Sequence, residues 1–362
     1  ADCAVTLAYF WVFAGVAMSL GERTPLAVLD APASGRMAVA EAITNLLAAP
    51  IELPRVKLSA NWMAACGEPG EDADLYATVQ AVAMELCPQL GISIPVGKDS
   101  LSMRTEWTAA DGAAHKVVSP VSLIVSAFAS VADVRGTLTP QLDRDEADAS
   151  LILIDLGRGR NRLGGSVLAQ TLEQSGCPEV DGVPDLHEAQ DLIALVAAVN
   201  QLRAEGRILA YHDRSDGGVV AAVAEMAFAG QVGVALTVDM LMVEGDGISD
   251  SRMDSGEAKD WSTQVTGRRH IQTLRALFAE ELGVVLQVRT ADRDAVLQVL
   301  REHGLSPCSH VIGKTRPLSS PIDKGKGQLS IWRDARPAGV GRRRACPGGA
   351  AERPGPANGA PL

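Results

Sequence analysis

The sequence predicts an α+β or α/β chain built as two domains, and three observations carry that reading. Short apolar runs bounded by turn residues alternate with longer stretches of helical periodicity, the pattern of sheets covered by helices. The chain has 362 residues, 47% of them hydrophobic, and 35 glycines, enough to bury a sizeable core at a length that suits about two domains. An acidic stretch, DRDEADA, lies between Leu142 and Ser150 and interrupts the apolar pattern, as a domain boundary would.

Composition excludes several function classes. A formal net charge of -11 leaves no basic face to neutralise phosphates, so the chain is not read as a nucleic-acid binder. The six cysteines are scattered, with no CxxC pair and no Cys/His cluster of zinc spacing, and read as free thiols of a reducing cytoplasm. Ala4 to Leu20 carries no charged residue and includes YFWVF. It has no basic flank and is broken by small residues, so it reads as a strand and loop, with no membrane partner expected.

Taken in order, the first helix runs from about Gly35 to Ala49, with Ser34 as its cap and Pro50 as its stop. Glu41 and Asn45 are four apart on it and share a face, which is either a solvated surface or an oxygen pair able to chelate a hard cation. Arg55 to Met63 alternates as a strand, and Glu71 to Leu86 is an amphipathic helix. Ile92 to Val96 is a short strand followed by a polar turn, Gly97 to Ser100. There Lys98 could meet a phosphate and Asp99 a metal or a proton, or the two are an exposed pair of little energetic weight. Val117 to Val131 is β-rich, and Leu151 to Leu156 is a buried strand. The following turn, GRGRNRLGG, is either a phosphate loop or a flexible basic loop, since it lacks the GxGxxG register. Helices then run from about Ser166 to Gln174 and from Leu186 to Arg203.

The most informative stretch is Ile208 to Gly230: a strand to Tyr211, the turn HDRSDGG, and a helix from Val219 to Phe228. A strand, a glycine turn and a helix start suit a phosphate site, with Asp213 placed to hold a divalent cation; the same pattern also serves as an ordinary strand-to-helix turn. Beyond it, Val234 to Leu241, Glu281 to Arg289, His310 to Lys314 and Gln328 to Trp332 read as strands and Ala291 to His303 as a helix. From Pro337 to Leu362 the composition turns to Pro, Gly, Ala and Arg, and residues 337–362 are expected to be disordered.

HDRSDGG with AEMAFAG resembles the large, single-chain phosphoribosylformylglycinamidine synthase family, as do GERTPLAVLDAPASGRMAVAEAITNLLAAPI, RVKLSANWMAACGEPGEDADLY, LGISIPVGKDSLSM and DSGEAKDWSTQVTGRR. The resemblance runs from Ala1 to about Arg336. It implies the second copy of an aminoimidazole ribonucleotide synthetase-like pair: residues 1–141 as its A domain and 150–336 as its B domain. It further implies ATP-dependent conversion of formylglycinamide ribonucleotide to the formylglycinamidine with ammonia from glutamine. The other synthetase half and a glutaminase domain would be supplied by a longer chain. Carried over residue by residue, Asp2, Glu41, Asn45 and Asp213 would hold Mg²⁺, Ala1 and Ser215 would touch ATP or ADP, and Lys98 and Asp99 would face the active cleft. In this family the second nucleotide site can be structural, so binding without turnover is the alternative. YFWVFAGV departs from the family's usual loop there.

Overall fold

The structure is a computed structural model describing residues 3–176, 181–242, 270–316 and 327–332. The strands in chain order are β1 (Cys3–Leu7), β2 (Gly15–Glu22), β3 (Lys57–Met63), β4 (Ser93–Ser100), β5 (Arg104–Thr108), β6 (Ala114–Val118), β7 (Ser122–Val131), β8 (Ala149–Asp155), β9 (Ala210–Asp213), β10 (Gly233–Thr237), β11 (Gly283–Arg289), β12 (Ser309–Arg316) and β13 (Leu329–Trp332). They form a five-stranded sheet in the order β1-β2-β7-β3-β4, a six-stranded sheet in the order β13-β10-β12-β8-β11-β9, and a separate β5-β6 hairpin. In the first sheet only β3 and β4 pair in parallel. In the second only β10 and β13 do. This is the mixed α/β architecture expected.

Helix α1 (Ala31–Leu46) lies against β2 and is buried along nearly its whole length. Small residues permit this: a Cβ on Gly21 would stand 2.2 Å from the Ala38 carbonyl oxygen and 2.4 Å from the Ala42 nitrogen, so helix and strand backbones touch directly. Polar ties reinforce the contact. Ser19 Oγ donates to the Ala42 carbonyl at 2.6 Å, and Asn45 Nδ2 donates to the Leu20 carbonyl at 3.1 Å. On its other side α1 meets β9, where the Tyr211 hydroxyl, fully buried, donates to the Thr44 carbonyl at 2.6 Å. One apolar cluster therefore runs from Ala17, Ile43 and Leu58 of the first unit to Ile152, Leu286 and Leu300 of the second.

Several local expectations are corrected. The cap of α1 is Asp30, whose carboxylate accepts the Ala33 amide at 2.9 Å, so the helix starts four residues earlier than expected; Ser34 lies inside it and donates to the Arg23 carbonyl at 2.6 Å. Gly97 to Ser100 is not a turn but the end of β4, because parallel pairing with β3 outweighs the turn preference of Gly, Asp and Ser. The hairpin β5-β6 was not anticipated. Its tip contains Asp111-Gly112, with Gly112 at φ +85 and the Asp111 carboxylate accepting the Ala113 amide, a turn signal just ahead of the β-rich stretch Val117 to Val131. The helix after Cys66 runs further than read, through α2 (Glu71–Val79), a π-helical stretch Gln80–Leu86 and α3 (Cys87–Leu90), ending at Gly91 in the left-handed region. Residues 337–362 and the stretch DSGEAKDWSTQVTGRR lie outside the described residues.

Gly21→Ala is expected to destabilise the chain by about 1–3 kcal/mol in urea unfolding, because the methyl group has backbone on the facing helix to displace and no flexible side chain. An unchanged midpoint would mean that α1 is not seated on β2 at this distance.

Candidate functional site

At the joint of the two sheets, α1 and the β9 turn bring carboxylates together. Glu41 is 14% exposed, and its Oε2 accepts the Glu22 amide at 2.8 Å. Asn45 is 3% exposed one turn further on. The solvated-face alternative for this pair is thereby overturned: the face they share is turned to β2. Asp213 ends β9, is 1% exposed, and neither carboxylate oxygen has a hydrogen-bond partner. His212 Nδ1 lies 3.1 Å from its Oδ1 but is engaged with the Asp213 main-chain oxygen at 2.7 Å, while His212 Nε2 meets Glu225 at 3.0 Å. Burial opposes charging of His212, yet the adjoining Asp213 raises its pKa above the ordinary value.

The electrostatics of Glu41 follow from the same crowding. Burial is the largest cause pushing its carboxyl up, Asp213 and Asp216 add to it, and Arg23 and the Glu22 amide oppose; the result is about 7. Arg23 itself is 5% exposed. Its Nη1 donates to Asp216 Oδ1 at 2.8 Å and stands 3.9 Å from Glu41 Oε1, and its Nη2 donates to the Glu280 carbonyl at 2.9 Å and to Glu280 Oε2 at 3.2 Å. Glu280 Oε1 in turn accepts the Gly217 and Val167 amides, each at 2.8 Å.

That arrangement changes the reading of the glycine turn. Gly217 and Gly218 do adopt positive φ, +79 and +71, as a tight strand-to-helix turn requires. Their amides are already used, however: Gly217 gives its N–H to Glu280, and Gly218 gives its to the Ser215 carbonyl at 3.0 Å. The turn that leads into the helix Gly218–Gly230 therefore serves to aim Asp213, and is not an open phosphate cradle. Ser215 is half-buried beside it. Two of the three arginines of GRGRNRLGG are likewise engaged. Arg158 pairs with Asp191 and Arg162 with Glu281, while Asp155 accepts the Gly157 and Gly159 amides and the buried Arg214 guanidinium.

Lys98 and Asp99 sit exposed on the edge strand β4, beside Asn61 and Trp62 of β3; Lys98 Nζ is 3.5 Å from Ser100 Oγ, and no hydrogen bond or ion pair joins either residue to Glu41 or Asp213. Ala1 and Asp2 lie outside the described residues. Among the described residues no group of three or more His, Cys, Asp and Glu side chains gathers as a metal site. The set Glu41, Asn45 and Asp213 still fits a hard divalent cation: it offers oxygen donors only, two from Asp213 are buried and unpartnered, and crowding of like charge around Glu41 is what a cation would relieve. Sequence reasoning missed Arg23, Asp216 and Glu280. Arg23 and Asp216 lie within the stretches GERTPLAVLD and HDRSDGG without standing out there, and the sequence signal of Glu280 is a Glu-Glu pair just before an apolar strand.

Comparison with known proteins places this fold in a class. Residues 1–130 match the FGAR-AT PurM N-like domain, and residues 146–320 match the C-terminal domain of AIR synthase related proteins. The chain therefore has the AIR synthase-like fold, with an N-like and a C-terminal domain of that type. Among solved structures it is similar to phosphoribosylformylglycinamidine synthase II from Thermotoga maritima, at TM-score 0.61 and 12% identity over 92% of this chain and 44% of that one. It is similar also to T. maritima PurL complexed with FGAR, at TM-score 0.57 and 13% identity over 92% and 49%, and to E. coli HypE, a hydrogenase maturation protein, at TM-score 0.52 and 18% identity over 92% and 85%. The chain thus spans under half the length of these Thermotoga proteins and most of the length of HypE. Among the described residues no helix is long and apolar enough to cross a membrane.

Glu41 also generates a pH dependence. A carboxyl raised from 4.5 to about 7 by folding favours the native state while protonated, so its contribution is complete below pH 4.5 and is lost as the pH rises through about 7. In chelator-containing buffer, wild-type stability relative to Glu41→Gln should fall by about 3 kcal/mol between pH 4.5 and 8. Parallel curves for the two proteins would show that Glu41 ionises freely.

Proposed function

We propose that this chain is the second A-plus-B portion of an ATP-dependent ligase that converts formylglycinamide ribonucleotide to the formylglycinamidine in purine biosynthesis, using ammonia derived from glutamine. Residues 1–141 and 150–336 would be its two domains. The observation that carries the reading is the buried carboxylate of Asp213, which accepts no hydrogen bond and whose charge acts on Glu41, one helical turn from Asn45, between two AIR synthase-type units. Bound there, Mg²⁺ would neutralise the phosphates of ATP or ADP. Glu41, Asn45 and Asp213 would supply oxygen ligands, with Asp2 completing the set and Ala1 and Ser215 against the nucleotide. Because Glu280 and Ser215 hold the Gly217 and Gly218 amides, phosphate recognition would pass through the cation and not through the glycine turn. Lys98 and Asp99, on the exposed edge strand of the five-stranded sheet, would serve the substrate cleft. The missing synthetase half and the glutaminase domain of the longer chain would be its partners in the cytoplasm.

A second reading has its own support. E. coli HypE, a hydrogenase maturation protein, is matched over most of both chains, so this fold is not confined to formylglycinamide ribonucleotide enzymes; in this second reading the site would hold Mg-nucleotide without that turnover.

Calorimetric titration of ADP into the purified chain tests the shared part of both readings. Binding should require Mg²⁺, and Asp213→Ala should abolish the magnesium-dependent component. ADP binding of equal strength with and without Mg²⁺ would sink the cation-mediated site. ADP formation that depends on both formylglycinamide ribonucleotide and ammonium, in the chain joined to its other synthetase half, would favour the ligase over the second reading.

A further inference from the structure

We propose that Arg23 is a positioning residue of the candidate cation site, a buried guanidinium strut that fixes the Glu41 helix against the Asp213 turn. The proposal rests on the reading that Glu41, Asn45 and Asp213 hold a divalent cation.

The two halves of that site come from different sheets. Glu41 and Asn45 belong to α1, which is seated on β2, whereas Asp213 belongs to β9 at the edge of the second sheet. Their separation must be held by something that touches both. Arg23 follows β2 directly, and its main-chain oxygen is bound by Ser34 Oγ at 2.6 Å, so its origin is fixed to the first unit. Its guanidinium ends in the second unit, on Asp216 of the SDGG turn and on both the carbonyl and the carboxylate of Glu280. Glu280 passes the constraint on by taking the Gly217 amide through its other oxygen. The turn that follows Asp213 is thus held at Asp216 by Arg23 and at Gly217 by Glu280, and Glu41 Oε1 lies 3.9 Å from the same guanidinium.

The bonding capacity of Arg23 supports positioning and not direct ligand contact. Its terminal nitrogens are engaged by protein acceptors and the side chain is 5% exposed, so little of it is left to meet a phosphate. Its guanidinium lies 3.9 Å from Glu41, 2.8 Å from Asp216 and 3.2 Å from Glu280, which makes it the resident counter-charge of the cluster. A guanidinium is suited to this role because its rigid fork reaches two acceptors at fixed angles; a lysine ammonium reaches them as a single point.

The test is the magnesium concentration needed for half-maximal ADP binding, measured calorimetrically in wild type, Arg23→Met and Arg23→Lys, with Asp213→Ala as the reference loss. In Arg23→Met the magnesium midpoint should rise on the order of tenfold. ADP affinity at saturating Mg²⁺ should return to the wild-type value, since mass action can close a loosened site but cannot repair a misfolded one. Arg23→Lys should fall between the two, and carries the same test should Arg23→Met not fold. A wild-type midpoint in either folded variant overturns the role of Arg23 while leaving the cation site intact. Absence of magnesium-dependent binding in the wild type overturns the cation site itself, and the two failures are thereby distinct.

Discussion

The joint between the two sheets is governed by a charge problem. Asp213 is buried with both oxygens unpartnered, Glu41 is nearly buried within reach of its field, and Asp216 and Glu280 stand close behind. Removing carboxylates from water costs free energy unless opposite charge or hydrogen bonds offset it; His212 stands beside Asp213, and the Arg23 guanidinium is shared among Glu41, Glu280 and the exposed Asp216. A core built for stability alone would not collect acids this way. The arrangement is one in which a stable fold and a receptive site are in tension, as is usual where chemistry or binding is located.

The surrounding structure absorbs that tension by rigid contact. Gly21 lets β2 touch the backbone of α1, Ser19 and Asn45 add polar ties along the same line, and the Tyr211 hydroxyl fastens α1 to β9 from the other side. Away from the joint, the second unit settles its own charges more conventionally. Asp155 stays ionised despite full burial because the Arg214 guanidinium and the Gly159 amide hold its pKa below the ordinary value. Glu281 takes both arms of Arg162. These complete pairs frame the incomplete one.

Much of the fold was legible from sequence because its signals are local. The strand, glycine turn and helix around Asp213, the buried run at β8 and the helix Ala189–Ala204 each declare themselves within about twenty residues. The end of β4 was misread because Gly, Lys, Asp and Ser carry turn propensity and only their partner strand decides otherwise. The start of α1 was misplaced because two capping residues, Asp30 and Ser34, compete within one turn, and the one whose oxygen reaches an N3-type amide wins. The site was less legible. Glu41 and Asn45 could be seen to share a face, but whether that face met water or β2 depends on a strand about twenty residues upstream. Arg23, Asp216 and Glu280 are brought together from positions up to 257 apart, and no period or motif joins them.

Strand β9 is only four residues long, and two of its alternate positions do different work on one face. Tyr211 reaches α1 through its hydroxyl, and Asp213 presents its carboxylate toward Glu41. A slip of this strand by one residue against β11 would rotate both side chains to the opposite face together. The anchor and the ligand-facing acid therefore cannot be separated by a pairing error: a chain that has closed the Tyr211 contact has already aimed Asp213, and folding proofreads the site before any ligand arrives.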